Sequence, residues 1–152
     1  MKNTTLCYLE RDGAYLMLHR VKKENDENRD KWIGVGGKFK AAESPFDCAR
    51  REVFEETGLT LSSLKYRGIV TFVSDEFGTE YMHLFTSDNF SGKTREDCDE
   101  GILEWVKKDK ISELNLWEGD KLFLELLKTE ERFFSLKLTY SGERLVSHVL
   151  EL

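Results

Sequence analysis

Gly37–Leu59, GKFKAAESPFDCARREVFEETGL, is the stretch from which the chain is best understood. Its middle carries the punctuation of a helix. Ser44 can cap exposed amides, Pro45 lacks the N–H that a first helical residue leaves unused, and Asp47 is spaced to answer the Ser44 amide. The helix is predicted from Pro45 to about Thr57. It should stop at Gly58, which can take the left-handed conformation of a helix terminus.

At roughly 100° per residue, Glu55 and Glu56 fall to either side of Glu52, so the three carboxylates share one face. Like charges at these spacings destabilise a helix by about 0.2–0.5 kcal/mol per pair, and the macrodipole disfavours anions near its C-terminal end. Folding gains nothing from the arrangement. Phe46, Ala49, Val53 and Phe54 offer apolar surface for docking on a core, which would leave the carboxylates pointing outward. Two readings follow: a solvated acidic face, or a site for a hard divalent cation such as Mg²⁺, which prefers oxygen ligands and is commonly shared between carboxylates and substrate phosphates.

Outward from this helix, the N-terminal side reads as a hairpin, Leu6–Glu10 and Ala14–His19 about Asp12-Gly13. The following segment, Val21 to Lys31, is almost wholly polar and suits an exposed loop. On the C-terminal side, Leu64–Ser74 and Tyr81–Ser87 read as strands around the turn Asp75–Thr79, and Ile102–Val106 as another. Ile111–Leu114 suits a short helical turn. Leu122, Phe123, Leu126 and Leu127 give Gly119–Glu130 the stripe of an amphipathic helix. Phe133–Tyr140 and Glu143–Glu151 close the chain as strands about Ser141-Gly142. No repeat or linker interrupts the sequence, so one domain over residues 1–152 is expected.

Composition narrows the function. Twenty-three Lys and Arg stand against 29 Asp and Glu, a formal charge of −6, which would repel a nucleic-acid backbone; stable nucleic-acid binding is not expected. Apolar runs are too short to cross a bilayer and no signal segment opens the sequence, so no membrane association is expected. Cys7, Cys48 and Cys98 are widely spaced without a C-x-x-C pair and read as free, buried or incidental thiols of a reducing, cytoplasmic protein. His19, His83 and His148 lack metal-ligand spacing and read as packed or hydrogen-bonded side chains.

Gly37, Glu43, Arg51-Glu52-Val53, Glu55-Glu56, Gly58 and Leu59 stand at spacings that resemble the complete Nudix box, the signature of hydrolases acting on nucleoside diphosphates linked to another moiety. Trp32, Gly36-Gly37-Lys38, Met82–Phe85, Asp99-Glu100 before Trp105, and Trp117–Asp120 are further similar to the MutT-type branch, which hydrolyses oxidised purine nucleoside triphosphates. The resemblance implies an α/β/α sandwich around a mixed β-sheet, with the box as a loop, a helix and a loop. It implies Mg²⁺, with Mn²⁺ as a substitute, held by Glu52, Glu55, Glu56, the Gly36 or Gly37 carbonyl, and Glu100 from another loop. Arg51 would pair with Glu43 to hold the box together.

By the same resemblance, water attacks a polyphosphate phosphorus and releases a monophosphate and pyrophosphate, with Glu52 and Glu56 both candidates for the base. Lys38, Arg20, Lys22 and Lys23 could contact phosphates. Trp117 and Asp120 match the residues that read the purine, with Trp32 and Phe72 as wall members. Gly119, where the mammalian-type pattern has a second aspartate, and Ile33, where it has an asparagine, are departures. The expected partner is a nucleoside triphosphate acted on by a monomer, for sanitation of the nucleotide pool as in DNA repair. The alternatives are Nudix hydrolysis of ADP-ribose, a dinucleoside polyphosphate or a capped RNA, and a non-catalytic nucleotide sensor.

Overall fold

The computed structural model describes residues 1–152. Its first hairpin joins β1 (Lys2–Arg11) to β2 (Ala14–His19) through Asp12 and Gly13, both at positive φ. That double left-handed turn suits the twist of a two-residue hairpin. The strands pair only beside the turn, at Glu10–Tyr15 and Arg11–Ala14, and then separate. β3 (Trp32–Ile33) pairs with β2, and α1 (Pro45–Thr57) follows. The long pair β4 (Thr60–Ser74) and β5 (Gly78–Ser91) comes next, then β6 (Asp97–Cys98), β7 (Gly101–Lys107), a 3₁₀ turn (Lys108–Glu113), α2 (Glu118–Thr129), β8 (Phe134–Ser141) and β9 (Arg144–Glu151).

The strand order is β6-β7-β2-β1-β5-β4-β8-β9, with β3 beside β2. β1 runs parallel to β5 and β4 parallel to β8, while the other pairs are antiparallel, so the sheet is mixed. Because side chains alternate along a strand, Leu6 and Tyr8 of β1 join one core while Cys7 and Leu9 join the other. The first core receives Phe123, Leu124 and Leu127 of α2, and the second Ala49 and Val53 of α1. The result is the expected sandwich, with a helix on each face.

At the start of α1, the Asp47 amide donates to Ser44 Oγ (3.0 Å) and the Ser44 amide donates to Asp47 Oδ2 (3.0 Å). Gly58 closes the helix at φ 80°. Two expectations about its faces fail. Phe54 is 53% exposed and packs no core, whereas Glu56 is buried at 6% exposure. Cys48, Ala49 and Val53 supply the docking stripe, which rotates Phe54 into solvent and Glu56 under the sheet edge. Cys7 and Cys48 are buried free thiols, while Cys98 is only partly covered.

Candidate active site

The glycine segment before α1 lies antiparallel to β1. Thr5 N–H donates to the Gly37 carbonyl (2.9 Å), Cys7 and Val35 exchange two backbone bonds, and Phe39 N–H donates to the Asn3 carbonyl (3.2 Å). A Cβ at Gly36 would collide with the Thr5 carbonyl, and one at Gly37 would occupy the space of the Glu52 carboxylate. The backbone contact requires glycine at 36, whereas at 37 the carboxylate end of Glu52 would have to move. The Gly37 carbonyl is already engaged; the Gly36 carbonyl accepts no hydrogen bond from the chain.

Arg51 organises the outer side of the box. Its Nε and Nη2 donate to both oxygens of Glu43 (2.6 and 2.9 Å), Nη2 also to the Lys38 carbonyl (3.0 Å), and Nη1 to Glu52 (2.7 Å) and Glu55 (3.1 Å). Such forked, charge-assisted contacts fix geometry as well as attract. The Arg51 bonds, with the Lys40 amide, hold the Glu43 carboxyl down at about 2. Glu55 stays half in solvent near Lys40 and belongs to this outer network.

Glu56 turns inward. Its Oε1 accepts from the Gly36 amide (3.0 Å), and its buried Oε2 has no partner. Burial first, and then the neighbouring Glu100 carboxylate, raise its affinity for a proton well above that of an ordinary carboxyl. An unpartnered buried carboxylate oxygen is expensive. Ligand atoms of Glu56, Glu100 and Cys98 lie within 4.8 Å of one another, and a divalent cation would supply the missing positive charge.

A cavity of about 670 Å³ begins at Glu52, Glu100, Gly36 and Gly37 and extends to Phe72, Trp117 and Asp120. Arg20, Lys23 and Lys38 also line it, although Arg20 is tied to Asp26 (2.7 Å) and Glu100 (3.3 Å) and Lys23 lies 3.8 Å from Glu100. Lys22 instead pairs with Asp97 at the surface. Trp32 stacks on His19 at 4.3 Å and is not part of the lining, nor are Glu55 and Glu56.

At the far end, the Trp117 ring meets Phe72 edge-on at 5.4 Å and its Nε1 donates to Asn28 Oδ1 (2.8 Å). Asp120 is 5% exposed. Burial pushes its carboxyl up to about 8 against the pull of Lys31.

Family comparison agrees with this geometry: the NUDIX domain matches residues 2–127. The chain belongs to the Nudix family. It is 36% identical over 154 residues to an oxidized purine nucleoside triphosphate hydrolase of Danio rerio, covering 99% of this chain and 94% of that one. It is 28% identical over 156 residues to the uncharacterized Nudix hydrolase YvcI of Bacillus subtilis, covering 99% and 95%. A mutator MutT protein from Bacillus halodurans superposes with a TM-score of 0.89 at 28% identity, covering 99% of this chain and 98% of that one. This Nudix protein is therefore an enzyme of the pyrophosphohydrolase type, in a family that generally uses divalent metal ions.

Sequence reasoning missed part of this Nudix cavity. Asn25, Asp26, Glu27 and Asn28, read as an exposed loop, line it together with Lys2, Thr4 and Glu80. Lys2 Nζ links Glu27 (3.2 Å) to Glu80 (3.4 Å). A polar loop carries no local signal of what it covers.

Proposed function

We propose that this Nudix hydrolase acts as one domain over residues 1–152, a cytoplasmic monomer that uses Mg²⁺, with Mn²⁺ as a substitute, to cleave oxidised purine nucleoside triphosphates into monophosphate and pyrophosphate. The observation that carries the reading is the continuity of one cavity from the carboxylates at Glu52 and Glu100 to the aromatic and acidic end at Trp117 and Asp120. The Danio rerio relative, whose name states that substrate class, lends support.

Glu56, Glu100 and the free Gly36 carbonyl would hold the cation, with Glu52 and Glu55 at their edge. When bound, Mg²⁺ neutralises charge on phosphate oxygens and makes water more acidic. Glu52 lines the cavity, and its Oε1 is held by Arg51 while its Oε2 has no hydrogen-bond partner in the chain. We assign Oε2 as the proton acceptor: the water oxygen bonds to phosphorus, its proton passes to Glu52, and the phosphoanhydride bond breaks to release pyrophosphate. Lys38 and Lys23 would bind the polyphosphate, and Arg20 would orient Glu100. Trp117 and Phe72 would enclose the base. Asp120, protonated near neutral pH, would offer the purine edge both an O–H donor and an acceptor. Trp32 would support this end through its packing.

A substrate panel tests the reading. Oxidised and ordinary purine triphosphates, ADP-ribose, diadenosine polyphosphates and capped RNA are compared with Mg²⁺, scoring monophosphate and pyrophosphate. An oxidised triphosphate should give the highest kcat/KM; preference for any other class would replace the substrate assignment.

A further inference from the structure

The Glu56–Glu100 pair has a sulfur beside it. Cys98, at the end of β6, places Sγ within 4.8 Å of a carboxylate oxygen of each residue. Cys98 pairs with Gly101 in the β6–β7 ladder, so the sulfur is carried by a hydrogen-bonded turn. Glu56 is independently 6% exposed, and its Oε2 lacks any partner. A thiolate and two carboxylates form a mixed donor set. Hard Mg²⁺ draws little from sulfur, whereas zinc accepts both, with bonds of about 2.3 Å to sulfur and about 2.0–2.2 Å to carboxylate oxygen.

We propose that Glu56, Cys98 and Glu100 form a binding site for a thiophilic divalent cation of the Zn²⁺ or Cd²⁺ class, which competes with Mg²⁺ for the same carboxylates. On binding, the thiol proton leaves to solvent as the metal–sulfur bond forms, and water completes the coordination. No oxidation state changes. The site gives the enzyme a switch by metal identity: the thiophilic ion binds but occupies oxygens that the hydrolytic cation needs. The inference rests on the proposed metal role of Glu56 and Glu100, but its readout requires no turnover.

The test titrates chelator-treated protein with Co²⁺, a spectroscopic stand-in for Zn²⁺, and follows thiolate-to-metal charge transfer in the near ultraviolet. The intact protein should develop the band, Cys98→Ser should not, and rising Mg²⁺ should bleach it. Calorimetry should show Zn²⁺ affinity falling by about tenfold or more in Cys98→Ser, with Mg²⁺ affinity changed much less. Circular dichroism checks that the variant is folded. Absence of the band, its persistence in Cys98→Ser, or its indifference to Mg²⁺ would overturn the proposal. Mg²⁺-stimulated hydrolysis without the band would contradict this inference and leave the hydrolase reading standing. A Cys98-dependent, Mg²⁺-sensitive band without hydrolysis would support the site while counting against that reading.

Discussion

The Gly119 amide donates a 2.7 Å hydrogen bond to the Tyr140 hydroxyl, and a Cβ on residue 119 would come within 2.6 Å of that hydroxyl and 2.5 Å of Leu138 Cδ1. Tyr140 thereby excludes a side chain from the position next to Asp120. The packing beneath the cavity leaves position 119 without a side chain, and Asp120 as the acidic lining residue beside it.

Replacing Gly119 should therefore reverse the usual helix rule. Alanine is the better helix residue, although the advantage is smaller in a first turn than in a helix interior, and overpacking costs about 1–3 kcal/mol. Gly119→Ala should be less stable than the parent in urea unfolding. Gly119→Ala should cost less in a Tyr140→Phe background than in the parent, because the hydroxyl that crowds Cβ is gone, although Tyr140→Phe by itself forfeits the Gly119 hydrogen bond. A stabilised Gly119→Ala would show that the site relaxes freely.

Asp120 should leave a signature in the pH dependence of stability. Its carboxyl is raised from an ordinary 3.8 to about 8 on folding, so between those values the folded chain holds a proton that the unfolded chain has lost. Stability contributed there is fully present below the lower value and lost as pH rises through the higher one. The stability of wild type relative to Asp120→Asn should decline from about pH 4 to pH 8 and then level. A flat difference would place the carboxyl in a more polar environment than its burial indicates.

Glu43 should show the opposite sign. Arg51 holds its carboxyl at about 2 rather than 4.5, so its contribution is present above the unfolded value and is lost as pH falls towards 2. Glu43→Gln should remove that part of the acid transition. Arg51→Lys, which cannot reproduce the fork to Glu43, should lower the thermal midpoint and reduce kcat by misplacing Glu52. Unchanged activity in Arg51→Lys would separate the fork from catalysis.

How much of this was readable in advance depended on range. Ser44, Pro45, Asp47 and Gly58 define α1 through contacts within a few residues, and both ends of the helix agree with expectation. The three glutamates also stood out, but their fates diverged: Glu52 lines the cavity, Glu55 stays half-exposed beside the largely covered Arg51, and Glu56 is buried. Angular spacing gives the relative positions of side chains and not the depth at which a helix docks. The approach of Cys98 to Glu56 and the parallel pairing of β4 with β8 join residues distant in sequence. No local pattern encodes either.

Glu56 should reveal the electrostatic cost of an ion-free site. Glu56→Gln keeps an oxygen for the Gly36 amide but removes a buried carboxyl that, without an ion, has to take up a proton beside Glu100. In chelator at pH 8, its thermal midpoint should equal or exceed that of wild type. Added Mg²⁺ should raise the wild-type midpoint, since a ligand selective for the folded state stabilises it, and should move the variant much less. Equal shifts would place the ion elsewhere.

Hydrolysis of an oxidised purine triphosphate by chelator-treated enzyme, before and after Mg²⁺ is restored, addresses the metal-bridged reaction most directly. Mg²⁺ should switch on release of monophosphate and pyrophosphate, and Glu52→Gln should lower kcat by about 10²–10⁴-fold, the range for loss of a positioned base. Equal rates with and without Mg²⁺, or full turnover by folded Glu52→Gln, would contradict the assignment of this carboxylate site.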